Sequence, residues 1–346
     1  MDPRFIGTHA RISPSIRWLH IAEQIALNRE NQPSPWGDRK TRLEPASQHG
    51  QTNQFSFTGL MKTTCLTVWL MVPDRIRVAA YKTLQTVGYR LYGKPNPFEP
   101  VQRLPFGLYL KFLGDPDGFR NEFNALKIVR RYTSLPVPQP LDLVTLPSDS
   151  NDPFYSHDAY LLTSRVPGMP LSYCHDMLSD KEGAEFVAQM QGYLGELRSI
   201  PKVVSPEYAI CNTLGGACRD PRICDANPVG PFVDETAFSQ VLRNSDEPSR
   251  RGHKIVFTHA DLNLRNILVD QVTRPDGTRA WTVTGIVDWE NSGYFPEYWD
   301  YTKSLFEGFR QSQRARDFMH DIFKSFGDFS KEFEIEKRSW EEGDYV

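Results

Sequence analysis

The stretch FTHADLNLRNILVD, Phe257 to Asp270, sets polar side chains between apolar runs. Ile255, Val256 and Phe257 on one side and Ile267, Leu268 and Val269 on the other read as short buried strands. Between them stand His259, Asp261, Asn263, Arg265 and Asn266. A turn at this place can bring the Asp261 carboxylate and the Asn266 amide oxygen to one pocket wall, one as general base and one as ligand to a hard cation. A second carboxylate follows. Asp288, in GIVDWE, closes another apolar strand, and an acid among Ile286, Val287 and Trp289 needs a cation or hydrogen-bond donors to offset its desolvation. Asn266 and Asp288 are then the two oxygen ligands, and magnesium suits so sparse and partly hydrated a site.

The front half supplies a matching cation. Lys111 lies in the apolar strand LPFGLYLKFLG, and Glu122 shares a helical stripe with Ala125, Leu126 and Val129, so each ion is costly to bury without the other. Taken singly, Lys111 and Glu122 could be an exposed ion pair and Asp288 a turn cap. Taken in chain order they match phosphoryl transfer, in which a strand lysine holds nucleotide phosphates, a helix glutamate orients it, a loop aspartate accepts the hydroxyl proton, and Asn with Asp holds the metal. Arg265 either contacts the transferring phosphate or braces a neighbouring acid. Glu290, Glu297 and Asp300 either recognise an amine-bearing substrate or form a solvated helix end. The aromatic group Trp289, Tyr294, Phe295, Tyr298 and Trp299 reads as core packing.

The elements that must position these residues fall in two halves. Residues 1–73 are polar, Pro-rich and weakly periodic, and read as a largely disordered extension. A helix opens at Pro73 and Asp74 and closes at Gly93, with Ile76, Ala80, Leu84, Val87 and Leu91 on one face. VQRLPFGLYLKFLG reads as a strand, alternating at Tyr109, Lys111 and Leu113, followed by a helix from about Asp117 to Tyr132 that TSLPVPQP stops. AYLLTSRV is a further strand, and the PG after it signals a turn or hinge. A helix with Phe186, Met190, Tyr193 and Leu197 on one face, a long Gly-, Pro- and Cys-rich loop, a hairpin tipped by RPDGT and helical sequence complete the chain. The strand-rich front half (74–163) and the mainly helical rear half (164–346) meet near Val166.

With 346 residues, 39% of them hydrophobic, the chain can bury a real core. Its 40 basic and 43 acidic residues give a net charge of −3, which carries no polyanion signature and argues against nucleic acid or an anionic membrane as partner. Five cysteines, without a C-x-x-C pair or a secretory leader, favour a reducing, cytoplasmic setting. Cys211, Cys218 and Cys224 lie close together without zinc-like spacing. The longest apolar run, CLTVWLMV, is too short to span a bilayer and is expected to dock on the body.

FTHADLNLRNILVD followed by GIVDWENSGYFPEYWDY resembles the aminoglycoside phosphotransferase family of protein-kinase-like enzymes, and more narrowly its fungal members. LPFGLYLKF, NEFNALKIVRRYTSLPVP, LLTSRVPGMPL and GPFVDETAF extend the resemblance over roughly Asp74 to the carboxyl terminus. It implies an α+β, bilobal protein-kinase-like fold, with a small strand-rich N-lobe and a larger, mainly helical C-lobe. It implies Lys111 as the phosphate-binding lysine with Glu122 its partner, Asp261 as catalytic base, and Asn266 and Asp288 as magnesium ligands. Ser164, Arg165 and Val166 would form the hinge that meets adenine, and His259 a structural brace. The implied activity is transfer of the ATP γ-phosphate to a hydroxyl of a small molecule. The alternatives are a catalytically silent nucleotide- or partner-binding relative and a protein-serine/threonine kinase, although no A-P-E-type segment follows Asp288. The chain departs from kinases in lacking G-x-G-x-x-G before Lys111; Gly93, Gly107 and the turn GKPN are the candidates for phosphate cover.

Overall fold

Pro105 has no N–H to give a ladder, Phe106 and Gly107 both take positive φ (65° and 70°), and the run expected to form one strand therefore folds into two. These are β1 (Val101–Leu104) and β2 (Leu108–Phe112), paired antiparallel from Val101↔Lys111 to Leu104↔Leu108. The computed structural model describes residues 57–95, 101–112, 115–147, 157–224, 227–306 and 311–342. Most of the expected extension, residues 1–56, lies outside the described residues, as does Leu113. Residues 57–73 fall within that expected extension and are helical over α1 (Phe57–Leu70). The compact body begins at Thr64. In it Trp69, from the apolar run, donates its indole N–H to the Tyr81 hydroxyl at 2.9 Å.

The first helix of the N-lobe is α2 (Asp74–Tyr92), with Gly93 at its end. Its buried face matches the apolar stripe expected from periodicity only in part: Leu84 packs against the core. Ile76, Val87 and Leu91 are exposed, and Arg77, Val78, Tyr81 and Gly88 face inward. The reason is long-range: Asp142 is buried, and the Arg77 guanidinium and Tyr81 hydroxyl both donate to its carboxylate. At the other end of the helix, Gly88 lets its backbone approach β1; a Cβ there would lie 2.4 Å from the Arg103 carbonyl oxygen.

Helix α3 (Pro116–Tyr132) starts at Asp115, whose carboxylate caps Gly118 N at 2.8 Å, with Pro116 in the first turn. Strands β3 (Pro140–Pro147) and β4 (His157–Ser164) complete an antiparallel sheet in the order β1-β2-β4-β3. Helix α2 packs on one face, where Leu110, Tyr160 and Leu162 meet Val78 and Tyr81. Helix α3 packs on the other, where Ala159 and Leu161 meet Phe119. Since Lys111 pairs with Leu161, the pleat turns it toward α3.

Beyond Ser164 the chain enters the larger lobe. Strand β5 (Met169–Pro170) and helix α4 (Asp180–Arg198) come first, the helix opened by a reciprocal capping box between Ser179 and Glu182. Then follow β6 (Cys211–Asn212), the short α5 (Glu235–Ser239), β7 (Ile255–Thr258), and the hairpin β8 (Ile267–Thr273) and β9 (Arg279–Ile286). Strand β10 (Gly293–Pro296) and helices α6 (Trp299–Leu305), α7 (Gln313–Phe323) and α8 (Ser330–Glu342) end it. Two small sheets, β5-β8-β9 and β6-β10-β7, hold the loops. Phe186, Met190, Leu194 and Leu197 of α4 are buried in one core with Trp289, Tyr294, Phe295, Tyr298 and Trp299. The aromatic group is core, as expected. Among the described residues no helix is long and apolar enough to cross a membrane.

Candidate active site

The loop between β7 and β8 is held by its backbone. Val287 N donates to Asn266 O at 3.0 Å just beyond the Ile267↔Ile286 pair, so Asn266 and Asp288 leave the same end of one ladder. Asp261 N donates to His259 Nδ1 at 3.2 Å, and His259 Nε2 faces Val287 O at 3.0 Å, which puts the ring proton on Nε2. Ala260 sits at φ 61° and Asp288 at φ 70°, the left-handed region, a cost the surrounding contacts must sustain. Asp300 supplies part of that support. Its two carboxylate oxygens accept from His259 N at 3.2 Å and Ala260 N at 2.7 Å. Buried there, it is neither a solvated helix end nor open to a substrate amine.

Lys111, Glu122 and Asp288 meet. Lys111 Nζ lies 2.7 Å from Glu122 Oε2 and 2.6 Å from Asp288 Oδ1. Burial works to lower the lysine pKa, but Asp288 and Glu122 outweigh it and hold the ammonium well above its ordinary range. Burial likewise works to raise Asp288, and the facing ammonium reverses this, leaving the carboxyl below its usual range. Burial prevails at Glu122, which is raised. Glu290 joins the group: burial, then the charge of Asp288, push it up to about 8. Among the described residues, Glu122, Asp288 and Glu290 form the one set of three or more His, Cys, Asp or Glu groups close enough to share an ion, with oxygens within 4.8 Å of one another. The cysteines take no part in it. All five are free, Cys211 and Cys218 being buried and Cys65 and Cys224 exposed.

Asp261 faces a second set of partners. Its Oδ2 accepts from Asn266 Nδ2 at 3.0 Å and Arg265 Nη2 at 3.2 Å, so Arg265 braces this acid. Since the Asn266 NH₂ group is committed to Asp261, its Oδ1 is the atom left to serve a cation. Lys303 Nζ, from α6, lies 3.4 Å from Asp261 Oδ1.

Two side chains that sequence reasoning passed over help to hold this arrangement, the first of them across the two lobes. Asn121, next to Glu122, donates to Glu290 O at 2.8 Å and Ser292 O at 2.7 Å, and its Oδ1 accepts from Thr213 N at 2.9 Å and Thr213 Oγ1 at 2.6 Å. Every polar valence of the amide is thus used, and α3 is pinned to the segment after Asp288. Lys303 is the other. The signal for it was a lysine three residues past Asp300 in the helix WDYTKSL, every residue of which is buried.

At the hinge, Ser164 N donates to Gln139 O at 2.9 Å and Arg165 N to Gly107 O at 2.8 Å. A cavity of about 450 Å³ beside it is lined by Arg130, Thr133, Ser164, Arg165, Val166 and Thr284 among others, and Lys111, Asp261 and Asp288 do not border it. Gly107 therefore belongs to the hinge end of the β1–β2 hairpin, far along the strand from Lys111. The opposite end, preceding Val101, follows Gly93, and residues 96–100 between them lie outside the described residues.

A small antiparallel sheet flanked by helix α3, a hinge and a larger, mainly helical lobe with a polar loop at the junction make this a bilobal protein-kinase-like fold. The chain belongs to the phosphotransferase enzyme family (APH), whose model matches residues 108–323. None of the curated proteins compared matches the sequence. Similar solved structures include a thermostable mutant of aminoglycoside phosphotransferase APH(4)-Ia in ternary complex with ADP and hygromycin B, at 13% identity and a TM-score of 0.44, covering 70% of this chain and 81% of that one. Another is the ternary complex of streptomycin, ATP and APH(2")-IIa, at 11% identity and a TM-score of 0.46, covering 69% and 79%.

Proposed function

We propose that this chain is an ATP- and magnesium-dependent phosphotransferase acting on a hydroxyl of a small molecule. The observation that carries the reading is the Lys111 ammonium held at once by Glu122 and Asp288, a strand cation poised for phosphate oxygens at the lobe junction. Hard oxygen donors fit magnesium: the Asp288 carboxylate and the uncommitted Asn266 Oδ1 would hold it, and the ion supplies charge neutralisation to the nucleotide phosphates. Lys111 then exchanges a carboxylate partner for phosphate oxygens, with Glu122 keeping its direction. Asp261 orients the acceptor hydroxyl and takes its proton. Because the Ser164 and Arg165 amides are engaged, the nucleobase is met by Val166 N–H and the hinge carbonyls.

The acceptor is sought by incubating the full chain with a cell metabolite extract and heavy-isotope ATP, and identifying the labelled product. A general base contributes typically about 10² to 10⁴ in rate, so Asp261→Ala should lose at least that much, and Asp288→Ala should nearly abolish transfer. Parental turnover by Asp288→Ala would refute the metal assignment. Nucleotide binding without labelled product from the parent would refute catalysis.

A further inference from the structure

Helix α6 grips the catalytic-type loop twice with side chains one turn apart. Asp300 takes its backbone, and Lys303, three residues on and so on the same helical face, reaches the side chain of Asp261. We infer that Lys303 is a positioning residue for Asp261: a fixed buried cation that holds the carboxylate in its working orientation. This inference rests on the catalytic role proposed for Asp261.

Two comparisons support it. Of the two cations on the Asp261 carboxylate, the Arg265 side chain is 50% exposed and that of Lys303 only 8%. Arg265 is thus the partner an incoming acceptor or phosphate can displace, and Lys303 the one that stays. Burying an ammonium is costly unless its charge is matched, and Lys303 has a second carboxylate, Asp220 Oδ1, at 3.9 Å. Asp220 in turn is fully buried and chelated by Arg222, with Nη2 at 2.8 Å and Nε at 3.1 Å. Arg222 donates onward to Thr302 Oγ1 at 3.0 Å and to Glu336 Oε2 at 2.9 Å, and Arg250 Nη1 reaches the other Glu336 oxygen at 3.4 Å. Charges alternate in sign from Asp261 through Lys303, Asp220, Arg222 and Glu336 to Arg250. Every member behind Lys303 is out of solvent, so withdrawing the ammonium from Asp261 would take one positive charge out of a buried alternating series.

The experiment compares Lys303→Met and Lys303→Arg in the full chain, alone and combined with Asp261→Asn, using ATP and the acceptor found by labelling. Misplacing a reacting group by an ångström costs on the order of a hundredfold, so Lys303→Met should lower kcat by about 10- to 100-fold while the KM values for ATP and acceptor stay within about threefold. Lys303→Arg should recover part of the loss. In the Asp261→Asn background Lys303→Met should cost nothing further in residual turnover, because its effect runs through the carboxylate. A kcat for Lys303→Met within about twofold of the parent, or an equal loss in both backgrounds, overturns the inference. Should the parent bind ATP and phosphorylate nothing, the proposed function fails by itself. Positioning is then read from thermal unfolding: the Tm loss from Lys303→Met should be smaller in Asp261→Asn than in the parent, and strict additivity overturns it.

Discussion

Replacing Lys111 by Met removes a cation and keeps most of the side-chain volume, so its effect reports the charge cluster and not the packing. At an effective dielectric of about 20, the contacts at 2.7 Å to Glu122 and 2.6 Å to Asp288 are each worth about 6 kcal/mol of Coulomb attraction before desolvation. Without the ammonium, Glu122, Asp288 and Glu290 present oxygens within 4.8 Å of one another, a repulsion of at least about 3 kcal/mol for each ionised pair. Proton uptake and the partial exposure of Asp288, whose side chain is 34% accessible, relieve much of this. The expected net loss is about 3 kcal/mol in urea unfolding, the low end for a buried pair losing one partner. Magnesium gives the sharper readout. In the parent, Nζ occupies Asp288 Oδ1, and a cation must compete for that oxygen. In Lys111→Met it need not. Saturating Mg²⁺ without nucleotide should therefore stabilise the variant by about 1 to 3 kcal/mol more than the parent, the scale of RT ln(1 + [L]/Kd) at tens to hundreds of Kd. Equal magnesium responses, or a variant within about 1 kcal/mol of the parent in the absence of metal, would show that these charges are not coupled as described.

Asp300→Asn turns one of two accepting oxygens into an NH₂ group facing a backbone N–H; it should cost about 1 to 3 kcal/mol in urea unfolding and lower kcat through the strained Ala260 turn, and full retention of both would remove Asp300 from the loop's support. His253 lies between Glu235 at 2.7 Å and Glu332 at 3.3 Å; burial works to lower its pKa, and the two carboxylates override this and raise it to about 9. A raised histidine binds its proton more tightly folded than unfolded, so its contribution is complete below about pH 6.5 and is lost as the pH climbs through about 9. Tm measured from pH 6 to pH 10 should fall more steeply for the parent than for His253→Gln, and parallel curves would contradict this.

The lobes were legible because their patterns are local. A lysine in an alternating apolar strand, a glutamate on an amphipathic stripe and an acid closing a buried strand each carry a desolvation cost that only a partner offsets, and the partners found are the ones that cost demanded. The face of α2 was not legible in the same way. Periodicity points to Ile76, Val87 and Leu91, but Asp142 lies 65 residues beyond Arg77 and 61 beyond Tyr81, and no local window contains the acid that turns the helix over. The split of β1 from β2 was written in Pro105 and Gly107, and the strong β-propensity around them hid it.

Lys303 and Asn121 show a different limit. Both stand in helices beside residues that sequence reasoning did single out, Asp300 and Glu122, and both act across the junction of lobe and loop. A polar side chain on a buried helix face is an unpaid debt of hydrogen bonds, visible in the sequence as soon as the helix is known to be buried all round. What the sequence withholds is the creditor: Asn121 finds Thr213, Glu290 and Ser292, while Lys303 finds Asp220 and Asp261. Each pairing joins segments tens of residues or more apart, so identity follows from the fold and not from spacing. The candidate acid Asp261 is therefore held from two directions, by Asn266 and the half-exposed Arg265 of its own loop and by Lys303 of a helix that begins only after Asp288 in the chain.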